Sequence, residues 1–187
     1  MSLVDLIAQA DKRALAASGL ACLDRCVPLL GGDDDILRPL WSTLVAGQEW
    51  QERVAKARAE LAAEEMPDAD CASETEAARL ARGMLDTFPE RPTTEALRRW
   101  ADACSVAALQ IHGLLDPAED DSPVDSRREG RTDGMPPLVA AELRRQITVL
   151  ELLAGHGPNG LRQALEVSTE GRRVLRAVVS RRARGRA

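Results

Sequence analysis

Apolar residues return along this chain at alternating intervals of three and four, the period of helices that bury one face. The clearest stretch runs from Thr94 to about Leu115, where Leu97, Ala101, Cys104, Ala108, Ile111 and Leu115 make one stripe. A second stripe is Val139, Leu143, Ile147, Leu150 and Ala154. It follows Pro136 and Pro137, which stand at the first-turn positions where proline is tolerated, and Gly155 or Gly157 ends it. Nearer the N-terminus, Ser2 and Asp5 can cap a short helix carrying Leu3, Leu6 and Ile7. A longer helix is expected after Asp11, with Leu15, Leu20, Leu23 and Cys26 before Pro28.

The pattern continues less cleanly. Asp33 or Asp34 caps a third helix through Ile36, Leu40, Trp41 and Leu44, although Pro39 requires its start to shift or kink. Gly47 stops it, and residues 49–64 read as a fourth helix with a charged face. Residues 65–72 form a connector. Ser73 and Glu76 then have the spacing of a capping box for a fifth helix with Leu80, Met84 and Leu85 on one side. Beyond the second stripe, a short helix near Gly160–Leu165 and a last one near Thr169–Arg182 are expected.

Composition supports this reading. The chain has no Tyr, one Phe and three Trp, while Leu and Ala, strong helix formers, fill the space. The expected fold is an all-α irregular multi-helix bundle of about seven to nine helices. At 187 residues it forms one domain, 1–187, able to bury roughly 70% of its unfolded surface. Residues 116–135, nearly devoid of apolar side chains, are expected to be a mobile acidic loop, and residues 169–187 a basic tail. No apolar run approaches the ~20 residues of a membrane span. The first residues lack the basic start of a secretory signal, so a cytoplasmic location is expected.

Charge divides the chain unevenly. From Ser168 onward seven arginines face a single acid, Glu170, a balance of +6. The whole chain carries −5, so the preceding residues carry −11 and repel polyanions. The tail is therefore the strongest functional lead. Arg172, Arg173, Arg176, Arg181 and Arg182, with Val178 as an apolar anchor, form the candidate interaction surface. They suit an acidic protein partner, and nucleic acid through this tail is the alternative. The same run also stabilises a helix C-terminus and aids solubility. Residues 147–179 have the length of a helix-turn-helix presenting Arg172, Arg173 and Arg176 to DNA. Glu166, however, stands where its turn usually has glycine, and Arg172 where an apolar residue is expected.

Candidate chemistry is sparse. Cys22 and Cys26, one turn apart on one helix face, could offer two thiolates to a metal or serve as reactive thiols. Further ligands would have to be Cys104 and His112, which lie about 12 Å apart along their own helix and cannot both reach one ion. Burial as small hydrophobes is the plainer reading of these cysteines, and all four, Cys71 included, are expected as reduced thiols rather than a disulfide framework. His112 has Asp116 one turn on, which reads as a surface contact. The acidic run Asp33–Asp35 and the pair Asp68 and Asp70 lack the ligand spacing of a calcium loop. The three tryptophans are expected in the core. No cofactor is expected. The residues point to a non-catalytic protein that acts through another macromolecule, with a DNA-associated regulator and a thiol- or metal-dependent enzyme around Cys22 and Cys26 as alternatives.

Overall fold

In the computed structural model α2 (Lys12–Cys26) is the axis of the fold, buried without interruption from Ala14 to Cys26. Its sequence explains why. From Ala14 to Cys26, Ala, Leu, Gly and Cys surround the cylinder, and only Ser18, Asp24 and Arg25 interrupt them. The structure describes residues 1–31, 33, 35–46, 50–63, 72–120 and 122–185. Within them the chain is helical with no strand, and nine α-helices form the expected all-α bundle. The others are α1 (Leu3–Gln9), α3 (Arg38–Ala46), α4 (Gln51–Ala63), α5 (Ala72–Asp86), α6 (Thr94–Leu115), α7 (Val124–Arg128), α8 (Pro137–Gly155) and α9 (Gly157–Arg184), with a 3-10 turn at Val27–Leu29. No helix among the described residues is long and apolar enough to cross a membrane.

α6, α8 and α9 pack around α2, while α5 backs α6 and α1 lies on α8. The α6 stripe is buried throughout, from Leu97 to Leu115. α6 also brings Trp100 against α2, where a Cβ on Gly19 would stand 2.3 Å from the indole ring. That close approach requires glycine. The Trp100 indole N–H donates to the Met84 carbonyl at 2.8 Å. Phe88 meets Trp100 edge-on and stacks on Trp50, so three of the four aromatics pack together. Trp41, Trp50 and Trp100 are all buried.

Several helix ends follow the local chemistry. Ser2 and Asp5 complete a reciprocal capping box, Asp11 accepts from the Ala14 amide at 2.7 Å, and Thr93 caps α6. Pro39 sits in the first turn of α3, where its missing N–H costs no hydrogen bond. α5 begins at Ala72, so Ser73 lies inside its first turn rather than at the cap. The expected cap at Asp34, the stop at Gly47, residues 65–71 of the connector, Cys71 and the pair Asp68 and Asp70 lie outside the described residues.

Three segments differ from the expectations. α8 is turned on its axis: Glu142, Gln146 and Val149 are buried beside Val139, Leu143 and Leu150, whereas Ala154 is exposed. α9 is one helix of 28 residues, not two. Ser168 is satisfied inside it, donating to the Ala164 carbonyl at 2.8 Å, and Gly171 is a notch that admits Arg25. Glu166 lies mid-helix, so no turn of a helix-turn-helix exists there. Residues 116–135 carry α7 and two buried arginines. Arg127 grips both Asp120 oxygens, at 2.7 and 3.2 Å, and donates to the carbonyls of Arg131 and Asp133. Asp116 takes the Leu138 amide at 2.7 Å, and Gly130 and Gly134 turn the chain at positive φ. A polar segment is thus held chiefly by charged groups, with Val124 and Met135 packed against the core.

Candidate functional site

The two buried charged residues of α2, Asp24 and Arg25, are adjacent in sequence and point to different helices. Arg25 faces α8, where its Nε and Nη2 donate to the two Glu142 carboxylate oxygens at 2.8 and 2.6 Å. Both side chains are fully buried. Asp24 faces α9, where its carboxylate accepts from Arg172 Nη1 at 2.8 Å. Charges taken this far from water persist only when matched, and both are.

The Arg25–Glu142 pair extends into a longer network. Gln146, one turn along α8, donates to Glu142 at 2.9 Å and to the Ser105 carbonyl at 3.3 Å. Its own carbonyl accepts from Ser105 Oγ at 2.6 Å. Arg128 of α7 donates to that same hydroxyl and reaches Asp102 and Asp125. The chain of contacts therefore runs from α2 through α8 and α6 to the segment 116–135. His112 joins it from α6. It is buried, and it faces Glu142 rather than its expected surface neighbour Asp116. A carbonyl can only accept, so the 2.7 Å contact with Ala108 places a proton on His112 Nδ1. Its Nε2 lies 3.7 Å from Glu142 with no hydrogen-bond partner among the described residues.

Burial lowers the His112 pKa from 6.5, with Glu142 opposing, so the ring is held neutral. Burial would raise the Glu142 carboxyl, but Arg25 and then His112 outweigh it and hold the group below the usual carboxylate range. Burial pushes the Cys22 thiol up to about 12, against the pull of Arg25, and raises Cys26 and Cys104 as well. All three are free, buried thiols in their protonated form, poor nucleophiles and poor metal ligands. Cys22 accepts a weak hydrogen bond from Arg25 Nη2 at 3.5 Å, and a cation so placed repels a metal ion. Among the described residues no three His, Cys, Asp or Glu side chains come together to hold a metal.

The six residues singled out in the tail divide into two groups. Arg172 is buried against Asp24. Arg182 clamps α9 to α5 and α6, donating to Glu74 at 3.1 Å, to the Ser73 hydroxyl and to the Leu115 carbonyl. Val178 is half-buried against the core. Arg173, Arg176 and Arg181 are exposed, and Arg173 meets Glu170 in a long surface contact at 3.9 Å. The tail is thus part fold and part surface. Truncating it would remove buried Leu175 and Arg172 along with the exposed charge.

Sequence reasoning misses the buried network, yet a signal for it exists. Asp24 and Arg25 interrupt an otherwise apolar α2, and Glu142 and Gln146 stand one turn apart in line with Val139 and Val149. Comparison of the chain with protein-family models, with curated proteins and with solved structures gives no match.

Proposed function

We propose that this chain is a non-catalytic cytoplasmic protein that works by binding another protein through the C-terminal half of α9. One observation carries the reading. Among the described residues the three cysteines and His112 are sealed in the core, whereas Arg173, Arg176 and Arg181 stand exposed along one helix. That stretch of helix is anchored on either side by Arg172 and Arg182, which makes it a rigid platform for presenting guanidinium groups. Arginine on a fixed helix suits charge-assisted contacts with carboxylates, and half-buried Val178 adds an apolar edge. Free thiols in a reducing compartment fit the same picture.

The test is charge reversal at the three exposed arginines, since truncation would also damage the core. The triple variant Arg173→Glu, Arg176→Glu, Arg181→Glu is compared with wild type in a pull-down from the native host, with circular dichroism to show that both fold. A defined protein that co-purifies stoichiometrically with wild type and is lost from the variant supports the reading. Equal recovery by both proteins removes it. Retention of nucleic acid that falls steeply with salt would favour the DNA-associated alternative.

A further inference from the structure

A cleft of about 340 Å³ opens between α9, α3 and the end of α2, within the size range of small-molecule sites. Its wall includes Trp41 and Leu165, and Asp24 and Arg172 lie together at its side. Arg38 and Arg173 complete the basic lining. Three guanidiniums thus face two carboxylates, Asp24 and Asp35, and the lining carries a net charge of +1 in a chain that is acidic overall.

These charges are not equally committed. Arg172 and Asp24 hold each other at 2.8 Å, with side chains 10% and 1% exposed, and fix one side of the cleft. Arg38 and Arg173 are 71% and 74% exposed. Among the described residues each meets a long surface partner, Asp35 at 3.4 Å and Glu170 at 3.9 Å. Such exposed pairs are weak and yield readily to a better acceptor. Trp41 is buried, and its indole N–H has no acceptor among the described residues. Its ring forms part of the cleft wall, so its indole N–H signal senses what enters the cleft.

We infer that this cleft binds a compact oxyanion, a carboxylate or phosphate group on a small molecule, with Arg38 and Arg173 gripping the anion and Trp41 and Leu165 flanking the rest. The cleft is separable from the protein-contact surface. Arg38 belongs to the cleft and not to α9, while Arg181 belongs to α9 and not to the cleft.

The experiment uses the full chain, labelled with nitrogen-15, and follows the three indole N–H signals, assigned in the wild-type protein by through-bond methods. Inorganic phosphate and citrate are titrated separately up to about ten millimolar, with sodium chloride at matched ionic strength as control. The Trp41 signal is expected to move saturably while those of Trp50 and Trp100 stay. Arg38→Ala and Arg173→Ala each should weaken the apparent affinity at least about fivefold, with an unchanged spectrum elsewhere. Arg181→Glu should leave it unchanged. A response to phosphate alone or citrate alone assigns the anion. The inference fails if Trp41 is unmoved by both, if chloride moves it equally, or if the two alanine variants bind as wild type does.

Discussion

Replacing Glu142 by glutamine tests the buried network most sharply. The new amide would match the volume of the native carboxylate but present a nitrogen where Arg25 now finds an oxygen. Two bonds at 2.6 and 2.8 Å would become one bond and one donor–donor contact, and Arg25 would be left fully buried without its counter-charge. Gln146 would lose an ionised acceptor as well. Breaking one side of a buried pair costs about 3–5 kcal/mol, a large share of the ~5–15 kcal/mol by which domains are stable. Urea unfolding followed by circular dichroism at neutral pH reads the loss as a lower midpoint at unchanged slope. The double variant Arg25→Met with Glu142→Leu removes both charges and keeps the volume. It should recover most of the loss and lie within about 1–2 kcal/mol of wild type, because neither ion then needs solvation. A single substitution costing less than about 1 kcal/mol would show that water reaches the pair. A double variant as damaged as the sum of the two singles would show that the residues do not act together.

Other consequences can be checked in the same way. Gly19→Ala places a methyl 2.3 Å from the Trp100 ring, which the Met84 bond holds in place, and should cost about 1–3 kcal/mol or more in urea unfolding. Gly83→Ala meets no atom within 4 Å in α5 and should gain up to about 1 kcal/mol. His112 has a lowered pKa in the fold, so the unfolded chain takes up its proton first. Its contribution is therefore complete above about pH 6.5 and is lost as pH falls towards the folded value, and His112→Gln should flatten that part of a stability–pH curve. Cys22, Cys26 and Cys104 should not react with an aromatic disulfide reagent at mildly alkaline pH until urea unfolds the chain. A second rapidly reacting thiol in the native state would contradict their burial, since only Cys71 of the four cysteines lies outside the described residues.

The helical class and much of the core are legible in the sequence because they depend on periodicity alone. The α6 stripe repeats without interruption from Leu97 to Leu115, and its burial follows directly. The face of α8 is misleading for a definite reason. Glu142 and Gln146 are polar, so a pattern that equates burial with hydrophobicity turns the helix towards Ile147 and Ala154. The apparent split of α9 into two pieces comes from Ser168, Thr169 and Gly171, which look like breakers in a list of letters. Inside the fold Ser168 has its own carbonyl partner and Gly171 makes room for Arg25. The segment 116–135 reads as a loop because its stabilising groups are charges, some with partners far along the chain. Arg128 reaches back 26 residues to Asp102. Long-range ion pairs leave no period in the sequence. Arg172 is invisible as a structural residue for the same reason, its partner Asp24 being 148 positions away.

Those distant pairs also explain how an almost featureless helix acquires one orientation. α2 is apolar on every side, so burial of Leu, Ala and Cys scarcely distinguishes one rotation about its axis from another. Asp24 and Arg25 do distinguish them. Neighbouring residues on a helix diverge by about 100°, and here they meet opposite charges on two different helices, Arg172 of α9 and Glu142 of α8. A turn of one residue position would leave two acids and two guanidiniums buried without partners, each broken pair costing about 3–5 kcal/mol. The notches reinforce the same choice: Gly19 accepts the Trp100 ring on the α6 side, and Gly171 accepts the Arg25 stem on the α9 side. α9 is therefore held in register by contacts deep in the core, and its outward arginines inherit that register. The positions of Arg173, Arg176 and Arg181 on the surface are consequences of where Asp24 and Arg25 sit inside.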